Sequence, residues 1–189
     1  MKLNAKQLRK LATKGKTFRA YRNEIYIVLD NVLDTYNIGS IFRLADAVAV
    51  KKIYLCGDTE IPPNHRIKKA SINTTEVVEW EYCESAVEAI RKVRQSTSKV
   101  KKMQLHLRGV SSIQVVAIEQ SKKSVRYDEF DYKLPVCLVV GHETNGVSKE
   151  VLKIADAVVE IPMFGVNKSL NVMVSLGIVL YEVIKKNII

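Results

Sequence analysis

The sequence predicts an α/β fold in which helices cover both faces of a mostly parallel sheet. Short β-branched apolar runs alternate with stretches that carry apolar residues at helical spacing, a pattern typical of parallel sheets. The chain has 189 residues, of which 47% are hydrophobic, so it can bury the core of one domain. We predict a basic N-terminal extension over residues 1–22, followed by one domain over residues 23–189.

The elements of this domain are predicted in chain order. Residues 25–30 are a β-branched apolar run and form the first strand, and residues 38–48 form a helix that Asn37 is placed to cap. Further strands are predicted at residues 52–56, 77–82, 113–118, 136–140 and 158–161, and further helices at residues 85–94 and 169–186. Residues 62–69 are predicted to be a basic loop, and residues 96–112 are polar and basic with no assigned element.

The charge balance favours a polyanionic partner. The chain has 30 Lys and Arg residues against 20 Asp and Glu residues, and its pI is about 9.5. Such a surface attracts nucleic acid through phosphate contacts, although charge alone also fits a merely soluble basic protein. Eight of these cations fall within residues 1–22, which are either a solvated, frayed terminus or an arm that grips an RNA backbone.

Several function classes lack their usual sequence signals. The three cysteines share no close spacing and the three histidines are scattered, so neither a disulfide framework nor a metal site is expected. Cys137 lies in an apolar run and is predicted to be a buried small hydrophobe. No apolar signal region or membrane-spanning run is present, which predicts a cytoplasmic protein without a membrane partner. The glycine-rich motifs of dinucleotide and ATP sites are also missing.

Three separated blocks carry the functional signal. They are NIGSIFR at residues 37–43, GHETNGVS at residues 141–148 and IPMFGVNKSLNV at residues 161–172. The third block lies between apolar stretches, so its backbone polar groups need partners that a polar ligand with an apolar body would supply. In these blocks the chain resembles the SpoU/TrmH family of SPOUT RNA 2′-O-ribose methyltransferases, and the resemblance covers roughly residues 25–184.

The resemblance implies an enzyme that transfers a methyl group from S-adenosylmethionine to a ribose 2′-hydroxyl in tRNA or rRNA. It also implies a homodimer, an RNA-binding surface and a SPOUT-type domain with a C-terminal trefoil knot. Two alternatives remain, namely an RNA-binding module of the same fold that has lost catalysis and a SPOUT enzyme that methylates a base. The presence of Arg43, Glu143, Ser169 and Asn171 speaks against the silent module.

By resemblance, Arg43 contacts the target phosphate and assists deprotonation of the ribose hydroxyl. An ordinary guanidinium stays protonated in proteins, so phosphate binding and orientation is the physically safer part of that role. The resemblance places Asn37 in the active site, whereas helix capping alone also explains it. Gly39 is predicted to let another backbone or a ligand approach closely.

The other two blocks supply the remaining site residues that the resemblance implies. The catalytic set is Arg43, Asn37, Glu143, Ser169 and Asn171. The residues expected to bind S-adenosylmethionine are Gly141, Glu143, Gly146, Ile161, Met163, Ser169 and Leu170. Simpler interpretations are a surface arginine at 43, a surface acid at 143 and capping residues at 169 and 171. His142 stands where the family more often has asparagine, so its role is open.

Overall fold

The computed structural model describes residues 22–103 and 112–189, with side chains over residues 22–96 and 112–189. Apart from Arg22, the predicted N-terminal extension lies outside the described residues, as do residues 104–111 of the polar segment. Within the described ranges, no helix is both long enough and apolar enough to cross a bilayer.

In the part of the chain that the structure describes, seven parallel strands form one sheet. They are β1 (Asn23–Asp30), β2 (Val50–Cys56), β3 (Trp80–Cys83), β4 (Gln114–Ile118), β5 (Val125–Arg126), β6 (Val136–Gly141) and β7 (Ala157–Glu160). Their order across the sheet is β3-β2-β1-β6-β4-β7-β5. The central strands β1 and β6 are buried on both faces, which explains why their sequences are almost continuously apolar.

Helices cover both faces of this sheet, as predicted. They are α1 (Thr35–Ala47), α2 (His65–Ser71), α3 (Ala86–Met103), α4 (Lys149–Ile154) and α5 (Val172–Asn187), together with a 3-10 turn at Thr74–Glu76. Buried residues of α1, α2 and α5 pack on one face, and those of α3 and α4 pack on the other. Cys137 lies in this core with no exposed surface, and burial raises the pKa of its thiol to about 12, which confirms its prediction as a buried hydrophobe.

Two predicted helix starts are wrong. Helix α1 begins at Thr35 and its N-cap is Asp34, whose carboxylate accepts a hydrogen bond from the Tyr36 N–H at 2.7 Å. Asn37 therefore lies inside the first turn and does not cap the helix. Helix α5 begins at Val172 rather than at residue 169, because Asn171 is its N-cap.

Helix α2 was not predicted, because it has only seven residues and one buried large apolar side chain, Ile67. Asn64 caps it by accepting from the N–H groups of Arg66 and Ile67 at 2.9 and 3.3 Å. Two other elements differ from their predicted bounds. The strand predicted at residues 77–82 is β3, which spans Trp80–Cys83, and the helix predicted at residues 85–94 is α3, which continues to Met103. The knot expected from the resemblance stays a prediction.

Helices α1 and α2 touch at Gly39. A Cβ atom at this position would lie 2.5 Å from the Ala70 Cβ and 2.7 Å from the Ile67 carbonyl oxygen. Only a residue without a side chain allows the two backbones to approach this closely. The predicted close approach at Gly39 is confirmed, and it fixes the start of α1 against α2.

Candidate active site

A cavity of about 380 Å³, here named the main cavity, opens at the carboxyl ends of β4, β6 and β7. This is the edge at which parallel sheets bind ligands. All seven residues predicted to bind the methyl donor line it: Gly141, Glu143, Gly146, Ile161, Met163, Ser169 and Leu170. Asn171 also lines the main cavity, whereas Asn37 and Arg43 do not.

One wall is a tight loop that follows β6. The backbone groups of His142 and Gly146 bond to each other in both directions, at 3.1 and 2.8 Å. A Cβ atom at Gly141 would overlap the backbone of Gly146, which has a φ of +69°. Glycine is therefore required at both positions for the loop to close.

His142 stabilises the same loop. Its Nδ1 atom accepts hydrogen bonds from the N–H groups of Thr144 and Asn145, at 2.9 and 3.3 Å. An asparagine side-chain oxygen accepts in the same local manner. The imidazole thus supplies the acceptor that asparagine would supply, and it does so only while Nδ1 carries no proton. This contact gives His142 the structural role that the sequence left open.

Glu143 joins the loop to the start of α1. One carboxylate oxygen accepts from the Leu33 N–H at 3.1 Å, and the other accepts from the Asp34 N–H at 3.0 Å and from the Asn37 amide at 3.2 Å. Partial burial raises the pKa of Glu143, but the hydrogen bonds from Asp34, Leu33 and Asn37 outweigh it and leave the pKa below its ordinary value. Glu143 is thus an exposed acid of the loop, as the simpler interpretation has it, but its carboxylate is held by three hydrogen bonds.

Asn37 connects Glu143 to the third block. Its side chain is 6% exposed, and its oxygen accepts a hydrogen bond from the Asn171 amide at 2.9 Å. Asn171 in turn accepts from the N–H groups of Met173 and Val174 at 2.9 and 3.4 Å. The path from Asn171 through Asn37 to Glu143 brings together one residue from each sequence block.

Arg43 and Ser169 stand apart from this path. Arg43 is exposed on α1 and makes no hydrogen bond or ion pair with the part of the chain that the structure describes. It lies six positions after Asn37, about 120° around the helix, so the two side chains leave α1 in different directions. Ser169 is exposed at the main cavity, two residues before the cap of α5.

Two carboxylates of the main cavity were missed by the sequence reasoning. Glu119 follows β4 and accepts from the Val147 N–H at 2.8 Å, and Glu160 ends β7 and accepts from the Ser124 hydroxyl. Their positions at strand ends are the signal that identifies them. Among the described side chains, no group of His, Cys, Asp or Glu is arranged to hold a metal ion.

Known proteins resemble this chain over most of its length. The model of the SpoU rRNA methylase family matches residues 24–181. The tRNA (guanosine(18)-2′-O)-methyltransferase of Aquifex aeolicus is 36% identical over 164 residues, which are 85% of this chain and 69% of that protein. The corresponding enzyme of Escherichia coli K12 is 28% identical over 159 residues, which are 84% of this chain and 62% of that protein.

Solved structures share the fold. The AdoMet-bound rRNA methyltransferase of Sinorhizobium meliloti gives a TM-score of 0.74 at 29% identity, covering 89% of this chain and 59% of that chain. The TrmH/SpoU tRNA-modifying enzyme of A. aeolicus gives a TM-score of 0.69 at 30% identity, covering 96% of this chain and 81% of that chain. This chain is therefore shorter than these relatives and spans between 59 and 81% of their lengths. With the family model matched over most of its length, the chain belongs to the SpoU rRNA methylase family.

Proposed function

We propose that this protein transfers the methyl group of S-adenosylmethionine to a ribose 2′-hydroxyl in tRNA or rRNA. The observation that carries the proposal is the main cavity, whose wall is tied to the start of α1 by the Asn171–Asn37–Glu143 hydrogen bonds. Relatives that cover most of this chain are named as 2′-O-methyltransferases of tRNA and of 23S rRNA, which agrees with both substrate classes.

The residues of the main cavity fit the methyl donor. A volume of about 380 Å³ lies within the range of small-molecule sites, roughly 300–1,000 Å³. Ile118, Ile161 and Met163 offer an apolar wall for a purine, and the carboxylates of Glu119 and Glu160 favour a cationic ligand. When bound, S-adenosylmethionine would supply an electrophilic methyl carbon on a cationic sulfur. Its transfer to the ribose oxygen would break the bond from sulfur to that carbon, leave neutral S-adenosylhomocysteine and release the hydroxyl proton to solvent. We assign donor binding to the seven predicted residues, Gly141, Glu143, Gly146, Ile161, Met163, Ser169 and Leu170.

The polar residues of the three sequence blocks have separate roles in RNA binding and in positioning the reacting groups. Arg43 has an exposed guanidinium that pairs with no residue in the described ranges, and a phosphate of the RNA would bind there and orient the hydroxyl. Ser169 and Asn171 stand where the third block meets the main cavity, and we place them near the reacting methyl group. Glu143 already accepts three hydrogen bonds, so it is a positioning residue rather than the base. Asn37 positions Asn171 and Glu143.

We also propose a cytoplasmic homodimer in which residues 23–189 form the catalytic unit and residues 1–22 bind RNA. Exposed apolar side chains lie on α5 and on the loop before it, and a second copy of the chain would cover them. They are Phe164, Val166, Leu170, Val174 and Tyr181, with Phe164 and Val166 each at least 95% exposed. An apolar surface of this kind favours association between protein chains.

The test is transfer of labelled methyl groups to small RNA and to ribosomal RNA, followed by digestion to nucleosides. We expect a 2′-O-methyl nucleoside from one RNA class, its loss in Arg43→Ala, and unchanged S-adenosylhomocysteine binding in that variant. Arg91→Ala is the matched control, because Arg91 is an exposed arginine on α3 across the sheet. Absence of donor binding contradicts the proposal, and label recovered on a base identifies the alternative base methyltransferase. Donor and RNA binding without transfer to any RNA identifies the silent module.

A further inference from the structure

We propose that Gln120 is a positioning residue for binding of the methyl donor, because it fixes the peptide that precedes Ser169 at the wall of the main cavity. This inference rests on the proposed function. Gln120 follows the end of β4 and lines the main cavity. Its side-chain amide donates a hydrogen bond to the Lys168 carbonyl oxygen at 2.7 Å. Gln120 lies outside the three sequence blocks, so the sequence reasoning did not identify it.

The loop that Gln120 contacts makes few hydrogen bonds with the described part of the chain. This loop, here named the cavity loop, spans residues 161–171 between the end of β7 and the start of α5. Within the described ranges, the bond from Gln120 is the only hydrogen bond made by residues 161–170. The other backbone polar groups of these residues are therefore left to water and to a ligand.

Gln120 is itself fixed by the sheet edge. Its backbone N–H donates to one oxygen of the Glu119 carboxylate at 2.8 Å, and the other oxygen accepts from the Val147 N–H at 2.8 Å. The Glu119 N–H donates to the Val159 carbonyl oxygen at 3.0 Å, which continues the pairing of β4 with β7. The side chain of Gln120 thus reaches the cavity loop from a backbone that is already ordered.

The contact with Lys168 determines how Ser169 meets the main cavity. A peptide unit is planar and trans, so fixing the Lys168 carbonyl group also fixes the direction of the Ser169 N–H. Ser169 and Leu170 line the main cavity, and both belong to the proposed donor-binding set. A loop that is ordered before binding loses less conformational freedom when the ligand binds, which raises the affinity.

Two hydrogen-bonded links therefore join the cavity loop to the loop after β6. The first runs from Asn171 through Asn37 to Glu143 and also involves the start of α1. The second runs through Gln120 and Glu119 on the side of β4. Asn37 is buried, so its loss affects the fold and the site together, whereas Gln120 is exposed and its loss should affect the cavity loop alone.

The test is a calorimetric titration of the full chain with S-adenosylhomocysteine, in wild type and in Gln120→Met. Methionine has nearly the length of glutamine and lacks the N–H donor. We expect the affinity to fall about 2- to 13-fold, which corresponds to the net contribution of one hydrogen bond. The urea midpoint without ligand should stay unchanged, because substitutions of exposed residues have little effect on stability. A purely structural role would lower the urea midpoint instead.

Gln114→Met is the matched control. Gln114 begins β4, and its side-chain amide also donates to a loop carbonyl group, that of Asp131 at 3.2 Å. Gln114 does not line the main cavity. Its substitution should leave the affinity for S-adenosylhomocysteine unchanged.

A heteronuclear ¹⁵N NOE measurement without ligand gives a second readout. The value for the Ser169 amide should fall in Gln120→Met and stay at the wild-type level in Gln114→Met. Equal affinity of wild type and Gln120→Met overturns the inference, and so does an unchanged NOE at Ser169 or an equal loss of affinity in Gln114→Met. If wild type itself does not bind S-adenosylhomocysteine, the proposed function fails, and this inference fails with it.

Discussion

Replacing Glu143 by glutamine tests the junction between the loop after β6 and the start of α1. The carboxylate accepts three N–H bonds, from Leu33, Asp34 and Asn37. Glutamine keeps one acceptor oxygen and places an NH₂ group against a backbone donor, so one of these N–H groups loses its partner. A hydrogen bond to a charged group contributes about 1.5–3 kcal/mol, and solvent reaches this exposed side chain, so the lower end applies. We expect the free energy of unfolding to fall by about 1.5 kcal/mol and Tm by about 3–6 °C.

The effect of Glu143→Gln depends on pH with a definite sign. The folded pKa of Glu143 lies below its ordinary value of 4.5, so the carboxylate stabilises the fold above that value. This stabilisation is lost as the pH falls through the folded pKa. The glutamine variant has no carboxylate at this position, so it lacks this pH-dependent stabilisation. Urea denaturation from pH 7 downwards should show a stability gap between wild type and Glu143→Gln that closes below about pH 4.5. Equal stability at pH 7, or a gap that stays constant in acid, would refute the reasoning, and Glu150→Gln is the control.

Three further predictions use other contacts. Gly39→Ala should destabilise the fold by about 1–3 kcal/mol in thermal denaturation, because the new Cβ overlaps α2, whereas Gly165→Ala has open space and should be neutral. His142→Asn should keep the affinity for S-adenosylhomocysteine measured by calorimetry, whereas His142→Ala loses two loop bonds and should weaken it roughly 10-fold. Deleting residues 1–21 should weaken RNA binding and flatten its salt dependence; an unchanged salt slope would eliminate the gripping arm.

The sequence predicted the sheet and the meeting of its three polar blocks at one edge, because both follow from simple rules. β-branched runs located the strands of the core, and polar blocks that follow neighbouring parallel strands meet at one edge of the sheet. Strands β1 and β6 are such neighbours, so the blocks that begin at Asn37 and Gly141 come together. The third block joins them because its strand, β7, ends at the same edge.

Capping and short elements could not be predicted from the sequence. Asp34 and Asn37 are both good helix caps, and only the burial of Asn37 against Glu143 and Asn171 decides between them. Helix α2 is too short for its apolar periodicity to stand out. The hydrogen bond from the Val147 N–H to Glu119 joins residues 28 positions apart, and no local sequence pattern predicts such a contact.

The path through Asn37 implies that donor and RNA bind cooperatively. Asn171 and Glu143 line the main cavity, and Glu143 accepts from the N–H groups of Leu33 and Asp34 at the start of α1, the helix that carries Arg43. A ligand that orders one side of this path lowers the cost of ordering the other. S-adenosylhomocysteine should therefore raise RNA affinity, by about 5- to 150-fold for a typical coupling, and RNA should raise donor affinity by the same factor. In Asn37→Ala both bonds of the path are lost and the factor should fall towards one. If the coupling survives that substitution, the main cavity and α1 are coupled through other contacts.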